Sequence, residues 1–214
     1  EGSEAVRYRT ESRMSLARFG YEIPAESEML LLERKKGGLQ YFAFSVRMGE
    51  QEAMRYEGVR KGETLHLTGG AGEQTYDREI PWPAGTLSPR EESRHMQAAF
   101  KAGKKTFSHT AFNPETQRPA AFTYTVEGKE EVGLLGEKRM LTKIRMEQDI
   151  LPGLVNYLWV DEEGEALKTL TAMPLLGEME AVRTTKERAL APSEPAELLA
   201  QTLVAPEGKI ERPR

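Results

Sequence analysis

Alternation of apolar and polar residues dominates the chain, and a period of two predicts strands. Across residues 39–48, Phe42, Phe44, Val46 and Met48 fall on one face, with Tyr41, Ser45 and Arg47 on the other. Gly37-Gly38 ahead of this run is a turn signal that joins it to residues 29–34 as a hairpin. Residues 58–70 read as another pair of strand pieces. They turn at Arg60-Lys61-Gly62-Glu63 and place Leu65-His66-Leu67 in the second piece. Gly69-Gly70-Ala71-Gly72 then reverses the chain into residues 75–80. Sequential strands joined by short turns make residues 1–80 an antiparallel meander.

The pattern breaks at Pro81-Trp82-Pro83, and Ser88-Pro89-Arg90-Glu91 follows as a helix start. Ser88 can cap, Pro89 suits the first helical position, and Glu91 can close a capping box. Met96, Ala99 and Phe100 share one face and Gly103 can end the turn, so the spacing predicts a helix over 89–101. Alternation resumes in the second half. Ala120, Phe122, Tyr124 and Val126 share a face, as do Met140, Thr142, Ile144 and Met146, and then Val155, Tyr157 and Trp159. Gly133 and Gly136 flank one turn, and Asp161-Glu162-Glu163-Gly164 forms another before a strand over 167–173. A last reversal at Gly177 leads into 179–183.

Thr184 with Glu187 predicts a second capped helix through Leu190, and Leu198, Leu199 and Leu203 suggest a final helix over 196–204. The sum is about eleven strands, a middle helix and a helical C-terminus. The fold class is α+β, mainly β: a large curved antiparallel sheet, half-barrel-like, with the middle helix against its concave face. We read residues 1–204 as one β-rich domain. It comprises the meander of 1–80, the helix of 89–101, a second set of strands over 104–183 and short helices over 185–204. Residues 205–214, with Pro206, Gly208, Pro213 and five charged residues, read as a linker to a following domain.

Composition narrows the function more than it names it. The 30 Lys and Arg and 34 Asp and Glu are spread along all 214 residues, giving a net charge of −4. No basic patch of the kind that neutralises phosphates is present, which argues against nucleic acid as a partner. The absence of cysteine removes thiol nucleophiles, disulfides and thiolate metal sites. No run approaches the ~20 apolar residues of a membrane-spanning helix.

His66, His95 and His109 form no local ligand pair. Ser108-His109 with Asp77, Asp149 and Asp161 lacks the elbow motif of a triad enzyme. Glu91-Glu92, Glu130-Glu131 and Glu162-Glu163 sit at helix starts and turns, where carboxylates are solvated. Gly69-Gly70-Ala71-Gly72 lacks the Lys-Ser/Thr of a phosphate loop. No catalytic residue, metal ligand or cofactor is therefore expected. The remaining candidates are aromatic: Trp82, Phe42, Phe44, Phe122, Tyr124 and Trp159. They read first as core and second as the wall of an apolar cavity or a partner contact, with Trp82 between two prolines as a rim anchor.

The second half also carries a family resemblance. Its residues are Phe112-Asn113-Pro114-Glu115-Thr116, Val126-Glu127-Gly128, Gly136, the run Leu158-Trp159-Val160-Asp161-Glu162-Glu163-Gly164-Glu165-Ala166-Leu167-Lys168, and Arg183-Thr184-Thr185-Lys186-Glu187-Arg188-Ala189-Leu190. This resembles the N-terminal β-rich accessory region of bacterial extracytoplasmic transglutaminase-like proteins. The resemblance implies a periplasmic or otherwise extracytoplasmic location in the bacterial envelope. It also implies a non-enzymatic accessory role, presenting or orienting a protein substrate for an adjacent transglutaminase-like domain. That family's nucleophile is a cysteine, so no catalytic residue carries over to this chain. The resemblance extends more weakly to curved-sheet lipoprotein carriers, and the aromatic strand positions give the alternative reading, a periplasmic carrier or sensor holding an apolar or lipid-like ligand in the concave face. The partners implied are a transglutaminase-like domain, a protein substrate or an apolar small molecule.

Overall fold

Six strands open the chain: β1 (Ala5–Arg18), β2 (Tyr21–Arg34), β3 (Gly38–Met48), β4 (Gln51–Lys61), β5 (Thr64–Ala71) and β6 (Gln74–Pro81). The structure, a computed structural model, describes residues 5–18, 21–34, 38–150, 153–173, 177–191 and 196–197. The six strands pair in sequence order, as the turn signals predict, and each pair is antiparallel. β1 and the outer half of β2 go beyond the strands read from the sequence: one face of this ribbon carries Arg7, Arg9, Glu11 and Arg13 beside Glu26 and Glu28, and the other carries Val6, Tyr8, Thr10, Ser12 and Met14. Cross-strand ion pairs tie the charged face: Arg9 grips Glu28 through Nε at 2.9 Å and a second nitrogen at 3.1 Å, and Arg13 meets Glu26 at 3.3 Å.

The helix α1 (Pro89–Lys101) starts as predicted. The Glu91 amide donates to the Ser88 hydroxyl, and the Ser88 amide donates to the Glu91 carboxylate at 2.9 Å. Beyond it lie β7 (Thr106–Asn113), β8 (Arg118–Leu134), β9 (Glu137–Gln148), β10 (Val155–Val160), β11 (Ala166–Met173), β12 (Gly177–Val182), the single turn α2 (Lys186–Ala189) and β13 (Ala196–Glu197).

The architecture is mainly β, with one substantial helix in the middle, and its thirteen described strands divide between two sheets. One has the order β13-β1-β2-β3-β4-β5-β6 and the other β12-β11-β10-β9-β8-β7. The division falls at the Pro81-Trp82-Pro83 break. Proline brings no backbone donor, so the ladder cannot run on through this segment. Large twisted sheets also tend to split rather than extend. The linker still touches the second sheet: Leu87 bridges Ala111, donating to the Thr110 carbonyl and accepting from the Phe112 amide, each at 2.9 Å.

Two details of the C-terminus differ from expectation. The α2 cap is Thr185, whose hydroxyl accepts from the Arg188 amide, rather than Thr184. Ala196 and Glu197 pair parallel with Leu16 and Ala17 of β1, so the helix expected over 196–204 opens as a strand. An edge strand offers unpaired backbone groups that outweigh a short run of helical spacing. Residues 198–214 lie outside the described residues.

Three packed clusters fill the sheets. Phe42, Leu39, Leu65, Leu67, Trp82 and Phe112 anchor the first sheet. Met96 and Ala99 of α1 pack with Phe107, Phe122, Tyr124 and Ile144 on the second. Trp159 with Leu134, Val132 and Leu141 forms a third, beneath the β8–β9 hairpin. Gly58 shows how close the packing is. A Cβ there would lie 2.1 Å from the Phe42 ring, so only glycine lets β4 pass over it.

Candidate functional site

The six aromatic candidates do not converge on one surface. Phe42 and Trp82 are buried in the first sheet's cluster, with Phe44 half-buried beside them. Phe122 and Tyr124 lie under α1, and Trp159 belongs to the third cluster. Trp82 is 2 % exposed and acts as a plug at the crossing between the sheets. Its ring stands 5.2 Å from that of Phe112, and the Arg60 guanidinium covers it at 4.7 Å. Trp159 donates its indole N–H to Glu130 at 2.5 Å and lies under the Lys168 ammonium at 5.2 Å.

The structure does bring together two of the three histidines. His95 of α1 and His109 of β7 meet through their Nδ1 atoms at 3.1 Å. One of the two must then be neutral there to accept the other's proton. His109 is stacked on Tyr124 with centroids 5.3 Å apart, and its side chain is 6 % exposed. Tyr124 donates to the Glu92 carboxylate, whose same oxygen lies 3.7 Å from His109 Nε2. Burial, and then Glu92, pushes the Tyr124 phenol well above its usual range. Burial, His109 and Lys104 push the His95 imidazole below its own. The arrangement favours the neutral forms of Tyr124 and His95, and it fastens the helix to the sheet through polar contacts. His66 stands apart in the first sheet, paired with Asp77 at 2.7 Å. No group of three or more His, Asp or Glu suited to a metal ion occurs among the described residues.

Glu33 of β2 is a second buried polar group, 2 % exposed. Burial raises its pKa more than the nearby Ser88 hydroxyl and Arg90 amide lower it. Neither of its oxygens has a hydrogen bond of good geometry.

Two clefts differ in kind. One, of about 160 Å³, lies on the β1–β2–β3 ribbon and is lined by Arg9, Arg13, Glu26 and Glu28, whose charges already answer one another. The other, of about 520 Å³, lies where the β8–β9 hairpin tip faces β11 and the corner from β12 into α2. Leu135 and Leu167, over the buried Leu134, give it an apolar surface, and Arg139, Arg183 and Arg188 give it charge. Arg183, Thr184, Thr185 and Arg188 border this cleft. Sequence reading placed a turn here but passed over Leu135. The available signal was a leucine directly before Gly136, in a turn position that favours Asn, Asp or Gly.

No family model matches the chain, and no curated protein matches it. Among solved structures, it is similar to a β-barrel-like protein of a domain of unknown function, DUF1849, from Brucella abortus. The two share a fold. The TM-score is 0.61 at 11 % identity, over 85 % of this chain and 81 % of that one. Likeness at that identity speaks for architecture and not for activity. Among the described residues, no helix is long and apolar enough to cross a membrane.

Proposed function

We propose that this chain is a non-enzymatic binding module that works by surface contact with another protein. The observation that supports it most is where the large aromatic side chains go. Phe42, Trp82, Phe122, Tyr124 and Trp159 are all consumed in packed clusters, while a cleft mixing leucines and arginines opens on the outside. Apolar surface rimmed by charge is how protein recognition sites are built. The polar group of Glu92, His95, His109 and Tyr124 ties α1 to its sheet through the His95–His109 and Tyr124–Glu92 hydrogen bonds, with His109 Nε2 left 3.7 Å from Glu92.

The narrower form of the proposal is an accessory module of the bacterial envelope that presents protein substrate to a transglutaminase-like domain. Its support is the sequence resemblance over 158–168 and 183–190.

Native mass spectrometry before and after organic extraction tests the broader reading. The expected result is the ligand-free mass of 24.1 kDa in both. A mass excess that extraction removes would overturn it in favour of a carrier of apolar ligands.

A further inference from the structure

The tip of the β8–β9 hairpin holds a residue that folding alone disfavours. Leu135 has φ 53° and Gly136 φ 95°, so both central residues of this two-residue turn lie in the left-handed region. That geometry costs little for glycine or asparagine and is strained for leucine. The same side chain is 44 % exposed. A large apolar group is thus held in strained backbone and in water, and local strain of this kind gathers at binding sites. Leu167 extends the apolar surface next to it, over the buried Leu134. Arg139 of β9, Arg183 just after β12, and Arg188 of α2 face the same cleft, against one lining carboxylate, Glu137. Glu137 pairs with Arg139 at 3.0 Å, and Arg183 meets Glu165 at 3.1 Å.

We infer that this cleft docks an acidic peptide segment of another protein, with a bulky apolar side chain seated against Leu135. The inference rests on the protein-contact reading above and names the partner's chemistry. Guanidinium groups match carboxylates in shape as well as charge. Arg139 and Arg183 each meet one exposed carboxylate of this chain and can share it or exchange it, and Arg188 has no ion pair among the described residues, so the three together suit carboxylates that flank one apolar anchor. A single fatty-acid headgroup would satisfy one.

The test is fluorescence anisotropy of the full chain with three labelled peptides: a Phe anchor flanked by Asp and Glu, the same anchor flanked by Lys, and the acidic peptide with Ala as anchor. The first should bind at least roughly tenfold more tightly than the others and weaken as salt rises. Leu135→Asn removes the anchor and relieves the turn. It should weaken binding about tenfold while raising Tm by about 2–4 °C. Arg188→Glu should weaken binding by a similar factor with Tm unchanged. A residue of purely structural importance would move Tm and leave the affinity alone. Equal binding of the acidic and Lys-flanked peptides would overturn the docking site, as would unchanged affinity in both variants. So would binding of dodecanoate without any preference among the peptides, which would assign the cleft to an anionic amphiphile. Peptide failure with a ligand-free native mass removes this docking site only. An extractable ligand removes the protein-contact reading itself.

Discussion

The outer ribbon of the first sheet and the helix-covered face of the second are both antiparallel β-structure, and they are held by different forces. In the ribbon, Arg9, Arg13, Glu26 and Glu28 bind the strands edge to edge across water. Under α1, Phe107, Phe122 and Ile144 exclude water, and polar groups such as Tyr124 and His109 find partners inside. The comparison teaches that strand pairing alone says little about stability. Exposed ion pairs contribute weakly and are screened by salt, whereas each buried aromatic contributes on the order of 2–3 kcal/mol.

The largest effect should come from the buried side. Phe42→Ala empties the centre of the first sheet's cluster, next to Trp82 and Phe112, and is expected to cost about 3–5 kcal/mol in urea unfolding. A loss as small as that of a surface substitution would erase the distinction between packed base and ribbon.

A middle-sized effect should appear with pH on the helix-covered side. His95 has a lowered pKa in the folded chain, so the unfolded chain takes up the proton first as acid is added. Stability should therefore fall as pH drops from about 6.5 towards that lowered value, and level off below it. His95→Gln should remove that slope in denaturation curves measured at a series of pH values. A slope that survives the substitution would assign it to another group.

The smallest effect belongs to the ribbon. Raising salt should speed amide hydrogen exchange in β1 and the outer half of β2, with exchange in α1, β7 and β8 unchanged. Equal acceleration in both regions would mean that the ion pairs matter no more to one than to the other.

The same contrast explains what could be read in advance. Strands with one apolar face, such as 120–126, announce themselves by alternation, and Ser88 with Glu91 announces a helix start. β1 carries its charges on one face and a mixed row of Val6, Tyr8, Thr10, Ser12 and Met14 on the other, and the charged face meets its Glu partners only across to β2, which no single segment displays. The division into two sheets depends on which strands find each other, which local pattern does not encode. The meeting of His95 and His109 joins a helix to a strand, and the contact exists only once α1 has folded back. Leu135 was visible as part of a turn, but its strain is a matter of φ and appears only in three dimensions. At 196–197, helical spacing lost to the free edge of β1.

Phe112 has a consequence of its own. Its backbone is hydrogen-bonded into β7 of the second sheet, while its ring lies 5.1 Å from Phe42 and 5.2 Å from Trp82 in the core of the first. Neither sheet can melt without stripping that ring of its neighbours or its backbone of its ladder. Two sheets sharing one keystone behave as a single cooperative unit, and a calorimeter should record one heat-absorption peak where the topology alone suggests two.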